Sequence, residues 1–355
     1  MFKILAFTVK PKISADTRYR ILQYIPYFEK KGIKVKYYSL VNETFFNWSL
    51  NNSYTLIRVF LYIYFYFKRV FQIIFLANKY DTIWISRELS PIGPPILERL
   101  LFKFNKKVIL DIDDAIYLKD DNIKSFTHKL RDFKKFEKIA HKFHTIVCGN
   151  KFLANYFLKF NNFVKIIPTV VNYELYNKIQ RTKSKMIRIG WIGTPFYYDD
   201  FNIIKGAIEK LAKKYNFSLI IIGLNKKLNW NFKKITYIKW SLKDELKFFS
   251  YFDIGIMPLR YTQFEEGKCG FKIIQYMAAG IPVVASPVGV NKEIIQNGFN
   301  GFLAHNESEW HEKLEKLIIA KKLYKKFSTN GIKTISDKYL IEIYIDTYLN
   351  IFTND

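Results

Sequence analysis

The stretch Phe264–Glu293, FEEGKCGFKIIQYMAAGIPVVASPVGVNKE, decides how the rest of the chain is read. A charged, glycine-bearing loop follows a hydrophobic strand over Ile254–Leu259, and Lys268, Gly270, Phe271 and Lys272 open a helix behind it. Gly270 lets the backbone approach a ligand closely. The N–H groups of Phe271 and Lys272, which a first helical turn leaves outside its own ladder, face the same point. Lys272 adds a compact positive charge suited to a pyrophosphate. One turn further, Gln275 offers its amide to vicinal hydroxyls such as those of a ribose. Glu265 and Glu266, before the loop, are acceptors for sugar hydroxyls. Gly280-Ile281-Pro282 stops the helix and launches the strand PVVASP. A strand, loop and helix of this composition suit a diphosphate; the plain alternative is a helix–turn–strand whose lysines are solvated.

Outward from this stretch, one grammar repeats. Strand candidates are KILAFTV (3–9), KVKYYSL (34–40), TIWIS (82–86), KVILDID (107–113), TIVCG (145–149) and VKIIPTV (164–170). Helical stretches lie between them, notably Thr17–Lys31, Pro95–Phe104 and Ser125–His141. Apolar strands separated by helices of this length predict a parallel sheet with right-handed crossovers. The pattern restarts at Met186 with MIRIGWIG, SLIIIG, ITYIKW, DIGIMPL and PVVASP, after a polar, charged break near Val171–Lys185. The expectation is an α/β protein of two Rossmann-like, doubly wound domains, 1–170 and 171–337, facing each other across a ligand cleft. A final helix, 338–355, returns to pack on the first domain.

The chain has 355 residues, too many for one ordinary domain, and 49% are apolar, enough for two cores. Against 31 acidic residues stand 57 Lys and Arg, a net +26. Such a charge either marks an anionic partner or reflects a Lys-, Ile- and Asn-rich composition. The basic residues are spread along the chain without a nucleic-acid-binding module, so nucleic acid is not an expected partner. Cys148 and Cys269 form no CxxC or metal-ligand spacing, which argues against a disulfide framework or zinc and fits a reducing cytoplasm. MFKILAFTVKPK is too short an apolar core for a signal peptide and reads as a first strand.

Tyr54–Leu76, YTLIRVFLYIYFYFKRVFQIIFL, breaks the simple pattern. Arg58, Lys68 and Arg69 interrupt the apolar run before it reaches the roughly 18–20 residues of a spanning helix. Three readings stand: a sheet-flanking helix with snorkelling cations, an interfacial helix with basic flanks, and a transmembrane span.

The Phe264–Glu293 run resembles the signature of family-4 retaining glycosyltransferases (glycosyl transferases group 1), enzymes of the GT-B fold. In that family two acids eight positions apart grip the donor sugar and the nucleotide ribose, and the loop between them holds the diphosphate. Here Gly267 falls on the first acid and Gln275 on the second, with Glu265 and Glu266 just upstream. In GWIGT (Gly190–Thr194) the family has a strand-end glycine, matched by Gly193, followed by Arg and later Lys. This chain has no cation there until Lys205, which leaves phosphate neutralisation to Lys268 and Lys272. Ser14–Val35, Ser86–Pro95, Pro168–Tyr176 and Asn297–Ala304 extend the likeness over nearly the whole chain. Arg18 and Arg20 match a first loop and helix that close over the donor phosphates; solvated helix-end arginines are the alternative.

Asp111-Ile-Asp113-Asp114 ends a strand of the first domain, where an acceptor-binding or catalytic group belongs. Asp113 or Asp114 is placed to hold the acceptor hydroxyl or take its proton; helix capping and Mg²⁺ binding are the alternatives. The resemblance implies no metal and no cofactor, the nucleotide-sugar being a co-substrate. Histidines 128, 141, 144, 305 and 311 show no ligand or triad spacing. The implied function is retaining transfer of a hexose from a nucleotide-diphosphate donor to a bacterial surface-polysaccharide or lipid-linked acceptor. The enzyme is expected in the cytoplasm, at an anionic membrane surface. A GT-B nucleotide-sugar epimerase and an inactive membrane-associated scaffold are the rival readings.

Overall fold

The computed structural model describes residues 1–50, 55–105, 107–119 and 126–354. Tyr54 and Ser125, the first residues of two expected helices, lie outside that set. The chain forms two compact units, Met1–Thr169 with Ile341–Asp355, and Val170–Leu340.

The first unit is built on β1 (Lys3–Thr8), β2 (Lys34–Ser39), β3 (Thr82–Ser86), β4 (Val108–Ile112), β5 (Thr145–Cys148) and β6 (Val164–Ile166). All pair in parallel in the order β2-β1-β3-β4-β5-β6. β3 and β4 are buried at every residue, which is why they read as near-continuous apolar runs. The chain leaves β1 for β2 on one side and later crosses to β3 on the other. The loops after β1 and β3 therefore diverge at the carboxyl edge, the place where such sheets hold ligands.

Two expected helices are broken. Over Thr17–Lys31, α1 (Ala15–Arg20) stops at Ile21, and a new helix starts at Ile25, with Pro26 in its first turn. Proline lacks the N–H that an unbroken helix needs. The Ser125–His141 segment divides into Phe126–Lys129 and Lys135–Ile139. Arg131 turns aside to the buried carboxylate of Glu88 (2.7 Å), and Asp132 accepts from the Lys134 N–H (3.0 Å) to turn the chain.

Helix Ile341–Thr353 closes the first core. Tyr348 and Phe352 lie 5.2 and 5.0 Å from the Trp84 ring, and Phe28 stands edge-on to Phe352. Arg20 crosses this cluster. Its Nε donates to Asp111 (2.7 Å), and its terminal nitrogens donate to the Ile167 carbonyl (2.8 Å) and the Tyr348 hydroxyl (3.2 Å). Arg20 is wholly buried. Burial works against its charge, and Asp111 more than restores it. The expectation that Arg20 contacts a donor phosphate is therefore corrected: its donors are committed to the core.

The second unit repeats the plan with β7 (Ile187–Ile192), β8 (Phe217–Ile222), β9 (Ile235–Ile238), β10 (Ile254–Met257), β11 (Val283–Ala285) and β12 (Phe302–Leu303). These are again parallel, ordered β12-β11-β10-β7-β8-β9. The order reverses between β7 and β10. Helix α3 (Phe271–Ala278) is set against these strands by one close fit. A Cβ at Gly255 in β10 would come within 2.6 Å of the Tyr276 ring, so only glycine lets that ring lie on the sheet. The Tyr276 hydroxyl then accepts from the Ile192 N–H at the end of β7 (3.2 Å). This fixes the height of α3 and sets its N-terminus at the β7/β10 reversal.

Candidate functional site

The carboxyl edge at the β7/β10 reversal gathers most of the second unit's expected residues. Gly193 directly follows β7. A Cβ there would strike the Trp191 ring at 2.5 Å and approach Lys272 Cε at 3.1 Å, so strand end, indole and lysine are packed together. Lys272 Nζ stands 5.0 Å from the Trp191 ring centre and 4.7 Å from that of Tyr197. Lys268 donates to the Tyr197 hydroxyl at 2.7 Å and lies 3.5 Å from Glu265. One tyrosine is thus flanked by two ammonium groups.

Burial first, and the neighbouring Lys268 second, pull the Lys272 pKa down to about 8, against the opposing pull of Asp200 and Glu265. Asp200 is itself buried, with one oxygen accepting from Arg260 Nε (2.8 Å). Its other oxygen has no hydrogen-bond partner among the described residues. Burial raises the Asp200 carboxyl pKa against the pull of Arg260. Lys268, Lys272 and Arg260 gather here against the carboxylates Asp200 and Glu265, an excess of positive charge that an anion would relieve.

The loop's other members divide by position. Gly270 has φ +62°, and a Cβ there would also meet Ile294 at 2.4 Å, so glycine is demanded twice over at the start of α3. Phe271 and Lys272 form the first turn behind it. Gly267 ends the short helix Gln263–Glu266 in ordinary right-handed backbone. Glu265 is buried toward Lys268, whereas Glu266 accepts the Gly289 N–H (2.9 Å) and ties the loop to the turn after β11. Gln275 is buried and donates from Nε2 to the Tyr176 hydroxyl (2.8 Å). That donor was expected at a ribose; it is used inside the protein.

In the first unit a second polar cluster lies at the β1/β3 edge. Arg87, immediately after β3, grips Asp113 with Nε (2.5 Å) and a terminal nitrogen (3.0 Å). It also stands 3.4 Å from Asp16 and 3.6 Å from Asp114. Arg87 is the one non-glycine with positive φ (65°) among the described residues, a strained backbone of the kind found at functional sites. Burial raises the Asp16 carboxyl, but Lys10 and Arg87 together hold it far below the usual range. Arg18 turns inward and donates to the carbonyls of Lys12 and Ile13, closing the loop after β1.

Asp114 also accepts from the Ala115 N–H (3.1 Å). Asp111 points the other way, to Arg20 and Tyr348, so the three carboxylates do not converge. Among the described residues no group of three His, Cys, Asp or Glu is placed to hold a metal ion. Sequence reasoning missed Arg87, Tyr197, Asp200 and Arg260. Arg87 and Arg260 had a usable signal: each is a charged residue just past a buried strand. Tyr197 and Asp200 had none, since the 3₁₀ segment Pro195–Ile203 carries no periodic pattern.

Lys272 gives a pH prediction. The charged ammonium is the form that binds an anion, and its pKa near 8 leaves it largely charged below that pH and neutral above. Affinity for a nucleoside diphosphate is expected to fall by up to about tenfold per pH unit above 8, with uptake of a proton. Calorimetry in buffers of different ionisation enthalpy measures that proton. In Lys268→Met the fall should begin at higher pH, because one depressing charge is gone; an unmoved midpoint would contradict the coupling.

Residues 186–319 match the family model described as Glycosyl transferases group 1, a stretch containing Gly193, Tyr197, Asp200, Lys268 and Lys272. Sucrose synthase of Melioribacter roseus is 33% identical over 88 residues, 23% of this chain and 11% of that protein. The UDP-N-acetylglucosamine–N-acetylmuramyl-(pentapeptide) pyrophosphoryl-undecaprenol N-acetylglucosamine transferase of Pelagibacter ubique is 26% identical over 264 residues, 69% of this chain and 66% of that protein. The chain thus spans 11% and 66% of the lengths of these two relatives. Sucrose-phosphate synthase from Thermosynechococcus elongatus superposes with a TM-score of 0.71 over 100% of both chains at 13% identity. That likeness is one of fold, and the fold is GT-B.

Proposed function

We propose that this chain is a retaining glycosyltransferase that moves a hexose from a nucleotide-diphosphate donor to a surface-polysaccharide or lipid-linked acceptor. The observation that carries the reading is the pair Lys268 and Lys272 flanking Tyr197 at the β7/β10 edge, within the segment that matches the group 1 family model. In support, the Pelagibacter relative is named for a UDP-sugar donor and an undecaprenol-linked acceptor.

In this reading the diphosphate rests on the first turn of α3, with Lys268 and Lys272 neutralising it. The bond from the anomeric carbon to the β-phosphate oxygen breaks, and the acceptor oxygen bonds to that carbon from the same face. The acceptor proton passes to the departing phosphate. The two lysines stabilise the negative charge that grows on the leaving group. The step uses no cofactor and no metal. Glu265 and the α3 amides orient the donor, while Asp113 and Asp114, held by Arg87, serve the acceptor hydroxyl. Cys148 and Cys269 are buried and not joined in a disulfide, in keeping with a cytoplasmic site of action.

A panel of UDP-, GDP- and ADP-sugars tested by thermal shift should give one donor that raises the melting temperature. With that donor, labelled sugar should appear on the acceptor, whereas an epimerase would only isomerise the donor. Failure of all the nucleotide sugars to bind would sink the reading.

A further inference from the structure

The transferase reading makes no use of the outer face of α2 (Thr55–Leu76). Along it, Leu56, Phe60, Ile63, Phe67, Phe71 and Phe75 form a single ridge, each between 47% and 77% exposed. Ile57 and Tyr64 widen it, at 50% and 59% exposed. At 3.6 residues per turn these side chains fall within an arc of about 120° and run for about 28 Å. Isolated surface hydrophobes need no explanation, but a continuous stripe of this size on a helix does.

The opposite face is fixed to the sheet. Tyr62, Phe65 and Ile73 are buried there, and the Tyr62 hydroxyl pairs with Ser90 (2.7 Å). Arg69 is wholly buried, donates to the carbonyls of Thr8 (3.0 Å) and Tyr38 (3.2 Å), and lies 4.3 Å from the Phe7 ring centre. By length and composition α2 qualifies as a membrane span. Spanning, however, would strip Arg69 from its carbonyls and carry it into hydrocarbon. The geometry favours a helix lying in the interface over one crossing it.

We infer that the exposed face of α2 docks on an anionic lipid surface, with the ridge in the acyl boundary and the helix axis along the membrane plane. Charge selects this occupant. Thr55–Leu76 contains no Asp or Glu, Lys68 is exposed at the edge of the stripe, and the chain carries a net +26. An aromatic and aliphatic face with a cation at its edge and no acid is suited to the headgroup boundary. A second copy paired along the same face would oppose Lys68 to like charge, with no carboxylate on the helix to offset it.

The docking rests on α2 alone and does not depend on the transferase reading. It also deepens that reading. The residues that pack with the first half of α2 include Val9 and Ile92, from the loops after β1 and β3 that carry Asp16 and Arg87. A docked α2 therefore holds the candidate acceptor groups beside the lipid, where a lipid-linked acceptor would present its head.

Co-sedimentation of the full chain with phosphatidylcholine vesicles, with and without about a third phosphatidylglycerol, tests this. Binding is expected to the anionic vesicles, with a part that survives high salt. The variant Phe60→Ser/Phe67→Ser/Phe71→Ser should lose that part and weaken binding at least tenfold, with its circular dichroism unchanged. Independently, a polarity-sensitive dye on Phe67→Cys, selective because Cys148 and Cys269 are buried, should shift to the blue on vesicles. Equal binding by the triple variant would mean that bulk positive charge alone adsorbs the protein, and overturns the proposal. So would absence of vesicle binding, or a dimer that the triple variant abolishes in its place.

Discussion

Lys272→Met is expected to lower the rate of sugar transfer by about a hundred- to a thousandfold, the usual loss when one preorganised donor to a developing oxyanion is removed. The melting temperature should hold or rise. Lys272 is charged at neutral pH in surroundings that pull its pKa down to about 8, so the folded state bears a cost there that methionine does not. Methionine keeps the contact with Trp191 and Tyr197 while deleting the charge. Opposite movement of activity and stability is the mark of a site strained for function. Turnover within about tenfold of the native enzyme, with donor affinity intact, would remove Lys272 from the phosphate-binding role.

The second large effect is on stability. Arg20→Met should destabilise the first unit by about 3–5 kcal/mol, since it leaves Asp111 buried without its cation. Trp84 and Tyr348 both donate to Asp111, at 3.4 and 2.6 Å, but neither supplies a charge. The shift should appear in the urea midpoint of the first unit with little change in slope. A cost under about 1 kcal/mol would mean that Asp111 takes a proton or water in compensation.

How much of this was legible in the sequence follows from physical range. Buried parallel strands are read from short apolar runs, and TIWIS, KVILDID and MIRIGWIG yielded their strands to within a residue or two. Helices whose ends depend on distant partners were not legible: the break at Arg131 requires Glu88, and no local pattern records that ion pair. Of the residues gathered at the β7/β10 edge, Lys268, Gly270, Phe271 and Lys272 stood out in the sequence because glycine and lysine at a strand–loop–helix junction form a local pattern, and Gly193 through the resemblance. Arg20 misled because a cation at a helix end looks the same whether it meets solvent or a buried aspartate from a strand 91 residues away. The Gly255–Tyr276 fit was invisible for the same reason, being a long-range contact between a strand glycine and a helix ring. For α2 the composition left three readings open, and the inward turn of Arg69, with Tyr62, Phe65 and Ile73 buried beside it, separates the fixed face from the exposed one.

The first unit is interrupted in sequence: its sheet lies within Met1–Thr169, while Tyr348 and Phe352, which cover Trp84 and Phe28, come only after Leu340. During synthesis the sheet is therefore made early, and the helix that covers it emerges after the whole second unit, on the order of ten to thirty seconds later at ordinary translation rates. Over that interval the nascent chain holds an uncovered aromatic patch and an Arg20–Asp111 pair without its third member. The second unit has its sheet and helices in one continuous stretch and can complete first. The unit translated first is thus the one whose core is completed last, and ribosome-bound chains ending before Ile341 are expected to expose that core.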